Sequence, residues 1–311
     1  MKTALDHLPE RRRKEVQYVR DVILTELERK IAASRSARAK NYRILKLILY
    51  GSFARGTWFD DRKSGRASDY DLLAIVSHKQ LTNMAGFWND IEDWMIDDPG
   101  IGKEVSLIVH TLTEVNKELK DGQYFFCEIV NQGILLYEVL EKQADGRLKH
   151  KLRKPAAPDP RRAFEMAKAY NADWKQRAKR RLSIGRDNTE KRWLNEAAFD
   201  LHQAAEAAYR MILLTMTLYA PGTHSLRTLR RMSEKIDDRL KAAWPRDRKP
   251  FKRYFELLRR AYVEARYSTA YETTQEALHW QAERITDLIE LGDVSCRERL
   301  IQLEAAAKEA P

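Results

Sequence analysis

The strongest constraint on the fold is a change of pattern about halfway along the chain. Up to residue 140, short apolar runs predict strands at 43–50 (RILKLILY), 67–76 and 104–109 (EVSLIV). After a segment at 141–162 that carries a basic cluster and three prolines, only helical spacings remain. The chain is therefore predicted to be α+β, with a mixed α/β part followed by an all-α part.

The same pattern predicts three segments along the chain. They are a domain at 1–140, a basic, proline-containing linker at 141–160 and a helical domain at 161–311. The predicted helices are 9–33, 81–97, 111–122, 161–182, 189–219, 224–239, 249–268, 271–290 and 295–308, and a last strand is predicted near 134–137. The first helix is expected to bury Val16, Val19, Val22, Ile23 and Leu27. Breaks between the C-terminal helices are predicted at SIGRDN, APGT and WPRDRKP.

The net charge indicates which kinds of partner the chain could bind, and the cysteine content indicates its cellular compartment. The 311 residues carry a net charge of +11, which suits a polyanionic partner such as a nucleic acid, a nucleoside triphosphate or an acidic protein. Basic outer helix faces would explain the same charge. Cys127 and Cys296 form no metal or disulfide pattern. No apolar run approaches the ~18 residues of a membrane span and no signal peptide is recognised, so we expect a cytoplasmic protein.

The stretch LILYGSFARGTWFDDRKSGRASDYDLLAIV, at 47–76, holds the candidate chemistry. Asp69 and Asp71 are two positions apart and would leave one face of a strand, where two carboxylates repel unless a cation lies between them. Carboxylate oxygens and substrate phosphates are the ligands that Mg²⁺ prefers. Gly51 and Ser52 offer backbone N–H groups and a hydroxyl for phosphate. The combination predicts a magnesium and triphosphate site, whereas either element alone is common on protein surfaces.

This combination resembles the polymerase-β-like nucleotidyltransferase superfamily, in its minimal branch, over residues 10–140. The matching residues are Gly51, Ser52, Ala54, Arg55, Gly56, Ser68, Asp69 and Asp71. The separation of Ser52 from Asp69 is longer than in the family's common form, and the additional residues WFDDRKSGR predict a longer loop beside the nucleotide.

The resemblance implies transfer of a nucleoside monophosphate from an NTP, expected to be ATP, to a hydroxyl, with release of pyrophosphate. It assigns two Mg²⁺ ions to Asp69 and Asp71. It places the nucleotide at Gly51, Ser52, Arg55 and Ser68, although Arg55 would equally suit an exposed helix position.

A third carboxylate of this family is not evident. Ser106 occupies its expected place, and Glu104 has the same strand parity and is the candidate substitute as a metal ligand. Slow turnover, an acid from elsewhere, or nucleotide binding without catalysis therefore stay open.

The C-terminal half resembles the HEPN family over residues 160–290. The resemblance rests on AAFDLHQAAEAAYR, on THSL after the APGT break and on YVEARYSTAYE. Such domains are often fused to minimal nucleotidyltransferases and commonly dimerise, which implies an all-α bundle and a homodimer through residues 190–290.

Nuclease members of the HEPN family carry Arg-x(4–6)-His, and the histidine helps to cleave RNA. Arg266 matches the arginine, but Tyr271 stands at the histidine position. Because tyrosine has a pKa near 10, we expect no appreciable ribonuclease activity at pH 7, although Arg266 would still bind a phosphate. His202 and Glu206 share a helix face and predict a structural hydrogen bond, while His224 follows no arginine at that spacing.

Several functions remain open at this stage. The acceptor would be RNA, a protein or the chain's own helical domain, for instance at Tyr267 or Tyr271, in a toxin–antitoxin or stress system. An antibiotic-type nucleotidyltransferase is an alternative that the charge of +11 disfavours, and a non-catalytic nucleotide- or RNA-binding module is another. The basic segment 162–193, with Trp174 and Trp193, would line an RNA groove or form a solvated helix face.

Overall fold

The computed structural model describes residues 1–34, 37–61, 66–245 and 247–310. The chain divides between Pro158 and Asp159 into two compact units. Each unit has its own apolar core. Within the described residues, no helix combines the length and the apolar character that crossing a bilayer requires.

The first unit is built on a four-stranded mixed sheet, in the order β5-β4-β1-β6. Its elements are α1 (Glu10–Ala33), β1 (Ile44–Tyr50), α2 (Gly51–Arg55), β2 (Asp60–Asp61), β3 (Arg66–Ala67), β4 (Tyr70–Val76), α3 (Met84–Phe87), α4 (Asn89–Asp97), β5 (Val105–Thr111), α5 (Leu112–Lys120), α6 (Tyr124–Gln132) and β6 (Ile134–Glu138). Strand β4 runs parallel to β5, and β1 is antiparallel to β4 and β6. Strands β2 and β3 form a separate two-stranded ladder.

Burial explains why these segments take these conformations. Every residue of β4 is buried, as expected of a central strand that is covered on both faces. The apolar positions predicted for α1 are all buried: Val16, Val19, Val22, Ile23 and Leu27. Residues after β6 lie along α5, where Arg153 N donates to Asn116 Oδ1 at 2.7 Å and Ala156 N donates to Leu119 O at 2.9 Å.

The predicted single helix at 81–97 is wrong. A 3₁₀ turn at Lys79–Thr82 is followed by α3 and then α4. Asn83 Oδ1 accepts a hydrogen bond from Gly86 N at 3.3 Å, so Asn83 caps a new helix instead of continuing an old one. The buried Trp88 indole donates to Leu81 O at 2.6 Å, which stabilises the bend.

The second unit is helical, as predicted. Its helices are α7 (Pro160–Glu190), α8 (Leu194–Thr217), α9 (Leu226–Ile236), α10 (Lys249–Tyr267) and α11 (Gln275–Glu309), with a 3₁₀ turn at Asp238–Ala243. Helix α8 lies at the centre, and most of its residues are buried. The predicted breaks at APGT and WPRDRKP are confirmed. Helix α8 ends before APGT and α9 begins after it, and α10 begins only at Lys249, near the end of WPRDRKP.

Two other predicted breaks are wrong. Helix α7 continues through SIGRDN to Glu190, and α11 is one helix where two were expected. A Cβ on Gly185 would lie 2.8 Å from Leu201 Cγ, and one on Gly292 would lie 2.7 Å from Ile212 Cδ1. Both glycines therefore allow close approach to α8 inside continuous helices, and neither ends a helix.

Gly185→Ala should accordingly destabilise the protein. Forcing a methyl group into this contact costs about 1–3 kcal/mol, and the better helix propensity of alanine returns about 1 kcal/mol. We expect a net loss of about 1 kcal/mol in the urea-derived free energy of unfolding. Gly222→Ala, between α8 and α9, is the control for the steric contact, because no atom beyond its chain neighbours lies within 4 Å of its Cβ position. Equal stability of both variants would contradict the packing role of Gly185.

Candidate active site

The acid pair lies at the start of β4. Asp71 is the second residue of the strand and Asp69 directly precedes it. Because side chains alternate along extended backbone, both leave the same face of the sheet. The two residues are only 7% and 6% exposed. Two carboxylates are thus enclosed only two residues apart in the chain.

Gly51 lies directly against Asp71. Tyr50, the last residue of β1, pairs with Asp71 in the ladder, and Gly51 then starts α2 with a φ of +73°. A Cβ at Gly51 would collide with the Asp71 carboxylate. Only glycine combines this left-handed conformation with this close approach. The Gly-Ser turn and the acid pair therefore form one compact arrangement.

An aromatic stack fixes α2 relative to β4. The Phe53 ring stacks on Trp58 with centroids 5.3 Å apart and contacts Tyr70 at 4.5 Å. Burial raises the pKa of Tyr70 above its usual range, and the Glu15 charge acts in the same direction. The phenol is therefore neutral and serves as packing between the helix and the strand.

The other predicted nucleotide residues have contacts within the protein. Arg55 Nη1 donates to Glu128 Oε1 at 2.9 Å, which ties α2 to α6. Ser68 Oγ accepts from Phe59 N at 3.1 Å, and Ser68 N donates to Phe59 O at 2.9 Å. Ser52 is partly exposed beside Gly51. Ser68 thus closes the additional loop, while Ser52 stays accessible at the turn.

Strand β5 brings the position of the missing carboxylate beside the acid pair. Asp71 pairs with Ser106 and Tyr70 pairs with Val105, so Glu104 lies level with Asp69. Ser106 is fully buried, and its Oγ has no hydrogen-bond partner among the described groups. Glu104 is exposed. In this register Glu104 has the same strand parity as Ser106, but the described residues contain no cluster of three or more metal-ligating side chains.

The donor set suits a hard cation. Asp69 and Asp71 supply two enclosed carboxylates, and the Gly51 backbone lies close against the carboxylate of Asp71. Mg²⁺ is commonly held by one or two carboxylates while water and substrate phosphates complete its shell. Asp69 and Asp71 are the residues that would hold it here.

A second polar arrangement occurs in the helical unit around Arg266. Its guanidinium carbon lies 4.7 Å from the centre of the Phe199 ring, 4.5 Å from that of Tyr262 and 4.8 Å from that of Tyr267. Its Nε donates to Tyr262 O at 2.7 Å. The arginine is therefore held over aromatic faces, where a cation is favoured.

Two histidines share the same tyrosine ring. The His224 ring stacks on Tyr262 at 4.1 Å, and the His202 ring lies 5.3 Å from it. His224 Nδ1 is 2.9 Å from Glu206 Oε2. We call His202, Glu206, His224, Tyr262 and Arg266 the Tyr262 cluster.

Burial sets the charges within the Tyr262 cluster. It lowers the pKa of His202 to about 4, and the charges of His224 and Arg266 act in the same direction against the opposing charge of Glu206. Burial alone would raise the pKa of Glu206, but His224 and Arg210 together hold it below its usual range. At neutral pH the cluster contains a neutral His202 and an ionised Glu206.

The predicted hydrogen bond between His202 and Glu206 is absent. Glu206 contacts His224 and Arg210 instead, and His202 Nε2 forms no hydrogen bond of normal geometry with the described groups. The nearby His224 backbone still favours protonation of His202 slightly. Tyr262 and the position of His224 were not predicted, although Tyr262 lies four residues before Arg266 on the same helix face.

Tyr271 lies outside the Tyr262 cluster. It is buried, its hydroxyl donates to Leu257 O at 3.0 Å, and burial raises its pKa to about 12. Tyr271 is therefore a packing residue, whereas the two histidines that did not fit the motif spacing share the Tyr262 ring with Arg266.

The two tryptophans of the basic segment differ in environment. The guanidinium carbons of Arg177 and Arg210 lie 4.9 Å and 5.5 Å from the centre of the Trp174 ring, which is partly buried in the core. Trp193 is 54% exposed, with Lys191 Nζ 5.0 Å from its ring centre. Arg192, between them, has a left-handed φ of 60°. Only Trp193 is therefore available for a base or another planar group.

Comparison with known families detects a HEPN domain at residues 172–291. This match confirms the HEPN part of the sequence prediction and lies within the helical unit. No curated protein matches the chain.

Proposed function

The chain carries a HEPN domain at residues 172–291, and we propose that the first unit of the chain is an enzyme fused to this domain. The enzyme is a Mg²⁺-dependent nucleotidyltransferase that moves a nucleoside monophosphate from ATP to a hydroxyl. The observation that carries this proposal is the contact of Gly51 with the Asp71 carboxylate. This contact brings the Gly-Ser turn and the acid pair into one site. Each motif alone is common on protein surfaces, but the two together indicate a site for Mg²⁺ and a nucleoside triphosphate.

The residues take distinct roles in this proposal. Asp69 and Asp71 hold Mg²⁺, which when bound neutralises phosphate charge and activates the attacking oxygen. The Gly51 backbone and the Ser52 hydroxyl orient the terminal phosphates. Glu104, level with Asp69, receives the proton of the acceptor hydroxyl. The phosphorus–oxygen bond to pyrophosphate breaks as the bond to the acceptor oxygen forms.

Of the two candidate acceptor tyrosines in the helical unit, Tyr267 is accessible and Tyr271 is not. Tyr267 is 75% exposed, whereas the Tyr271 hydroxyl is buried and bonded to Leu257 O. A buried, hydrogen-bonded phenol with a raised pKa is a poor nucleophile. Tyr267 is therefore the proposed acceptor within the chain.

The test is incubation of the full chain with ATP labelled at the α-phosphorus and Mg²⁺, in the presence and absence of total RNA. Label on the protein that Tyr267→Phe removes and Tyr271→Phe retains identifies the internal acceptor. Label on RNA identifies a nucleic-acid acceptor, and a hydroxylated aminoglycoside added in a separate reaction tests the antibiotic-type alternative. Absence of labelled product from every acceptor would refute the transferase.

A second candidate function is metal-independent RNA cleavage by the helical unit. The specific observation in its favour is the convergence of Arg266 and His224 on Tyr262. Arginine binds phosphate, and histidine is the side chain that exchanges protons near neutral pH. Tyr271, which occupies the motif position of the histidine, lies outside this cluster, so its presence does not exclude cleavage.

Total RNA incubated with the full chain in EDTA separates the two functions. If the helical unit cleaves RNA, degradation should persist without metal, fall at least about 100-fold in His224→Gln and Arg266→Ala, and remain in Tyr271→Phe. Intact RNA, or degradation that survives both substitutions, would eliminate this candidate.

A further inference from the structure

Three segments that are distant in sequence meet on one carboxylate oxygen in the first unit. Asp60 Oδ2, on β2, lies 3.0 Å from Arg12 Nη2 and 2.8 Å from Lys103 Nζ. Arg12 belongs to α1, and Lys103 lies just before β5. Asp60 belongs to the additional loop that separates Ser52 from Asp69.

The two cations on Asp60 are largely enclosed, whereas the Asp60 side chain itself is 31% exposed. The Lys103 side chain is only 4% exposed, and that of Arg12 is nearly as buried. Glu15 completes the group, since its Oε2 lies 2.6 Å from Arg12 Nη1 and its Oε1 accepts from Gly102 N at 2.5 Å. Arg12, Glu15, Asp60 and Lys103 form what we call the Asp60 cluster.

Enclosed charges of this kind specify position strongly. A buried cation without its partner is costly, so Lys103 favours conformations that keep Asp60 beside it. Arg12, which also pairs with Glu15, adds a second contact. In the pair of Lys79 with Glu114 the lysine side chain is 73% exposed, so water replaces its carboxylate partner at little cost and the pair restricts position less.

The Asp60 cluster is linked to the acid pair on both sides. On one side, Phe59 precedes Asp60 and exchanges two hydrogen bonds with Ser68, the residue before Asp69. On the other, Glu104 follows Lys103, and its carbonyl accepts from Tyr70 N at 2.9 Å. Tyr70 lies between Asp69 and Asp71. Arg12 and Lys103 are therefore connected to Asp69 through Asp60, Phe59 and Ser68. Lys103 is also connected to Tyr70, between the two acids, through the Glu104 backbone.

We propose that Arg12 and Lys103 are positioning residues for the nucleotide site. By holding Asp60 they fix the β2–β3 ladder, and through Phe59 and Ser68 they fix Asp69 opposite the Gly-Ser turn. The described part of the additional loop, residues 57–61 and 66–68, then forms a fixed wall of the site. This inference rests on the proposed nucleotidyltransferase function.

Two measurements on the full chain test the role. The rate of hydrogen exchange at the Phe59 and Ser68 amides measures how often the β2–β3 ladder opens. Calorimetry with Mg²⁺–ATP measures the affinity of the nucleotide site. In Asp60→Asn we expect exchange to rise about 10-fold and affinity for Mg²⁺–ATP to fall about 10-fold. Lys103→Met, which keeps Arg12 on Asp60, should show smaller changes in the same direction, and Lys103→Arg should restore both.

Lys30→Met is the control, because it also removes a cation from an ion pair between α1 and another element, on Asp90 at the surface. Both measurements should match the wild type in this variant. Unchanged exchange in Asp60→Asn, or raised exchange with unchanged affinity, would overturn the positioning role. A wild-type chain that binds no Mg²⁺–ATP would overturn the proposed function and this role with it. The exchange data would still show whether the Asp60 cluster holds the ladder.

Discussion

Replacing Asp69 and Asp71 together by asparagine should reduce Mg²⁺-dependent ATP affinity at least about 100-fold, since even residues behind metal ligands contribute 10–100-fold. The amides keep the shape of the side chains but remove both negative charges. Because enclosed carboxylates repel each other, the fold should be equally stable or more stable without them. Calorimetry with ATP, with and without Mg²⁺, measures the loss, and the thermal midpoint verifies the fold.

The control for this experiment changes the net charge by the same amount elsewhere. Asp93 and Asp97 are exposed on α4, and their double replacement by asparagine removes two charges far along the chain from the Gly-Ser turn. Its Mg²⁺–ATP affinity should equal that of the wild type. An acid-pair variant that binds Mg²⁺–ATP as tightly as this control would show that the site assignment is wrong.

The sheet and the face of the acid pair were predictable because local pattern determines them. After Asp71, strand β4 is an unbroken apolar run, and residues two apart on extended chain share a side. The Asp60 cluster was not predictable, because Arg12 and Asp60 are 48 positions apart and their pairing leaves no periodic trace. One local signal existed. Glu15 lies four residues before Val19 on the apolar stripe of α1 and is buried with it.

In the helical unit, the positions of helices were predictable but their continuity was not. Glycine lowers helix propensity, which favoured breaks near Gly185 and Gly292, yet close packing on α8 outweighs that preference. The comparison of Tyr271 with a motif histidine failed for a different reason. Helix α10 ends at Tyr267 and Ser268 is extended, so Tyr271 no longer follows the helical spacing from Arg266.

Acidification should destabilise the helical unit through His202. Its pKa is about 4 in the folded protein against a usual value of 6.5, so the unfolded chain binds more protons between these values. The stability that neutral His202 contributes is complete above pH 6.5 and is lost as the pH falls towards 4. From pH 8 to pH 5 the loss from this residue should be about 2 kcal/mol in the free energy of unfolding.

A non-titrating replacement isolates this contribution from those of the neighbouring charges. His202→Gln should lower the free energy of unfolding at pH 8, because the substitution lies in a fully buried site. Between pH 8 and pH 5, however, the variant should lose about 2 kcal/mol less of its free energy of unfolding than the wild type loses. Glu206, His224 and Arg266 remain in both proteins, so the comparison isolates the loss of the His202 imidazole. His279→Gln, at an exposed histidine of α11, should retain the full wild-type pH dependence. Urea unfolding of the three proteins at both pH values gives the answer. A difference between wild type and His202→Gln that stays constant from pH 8 to pH 5 would show that His202 titrates normally in the folded state.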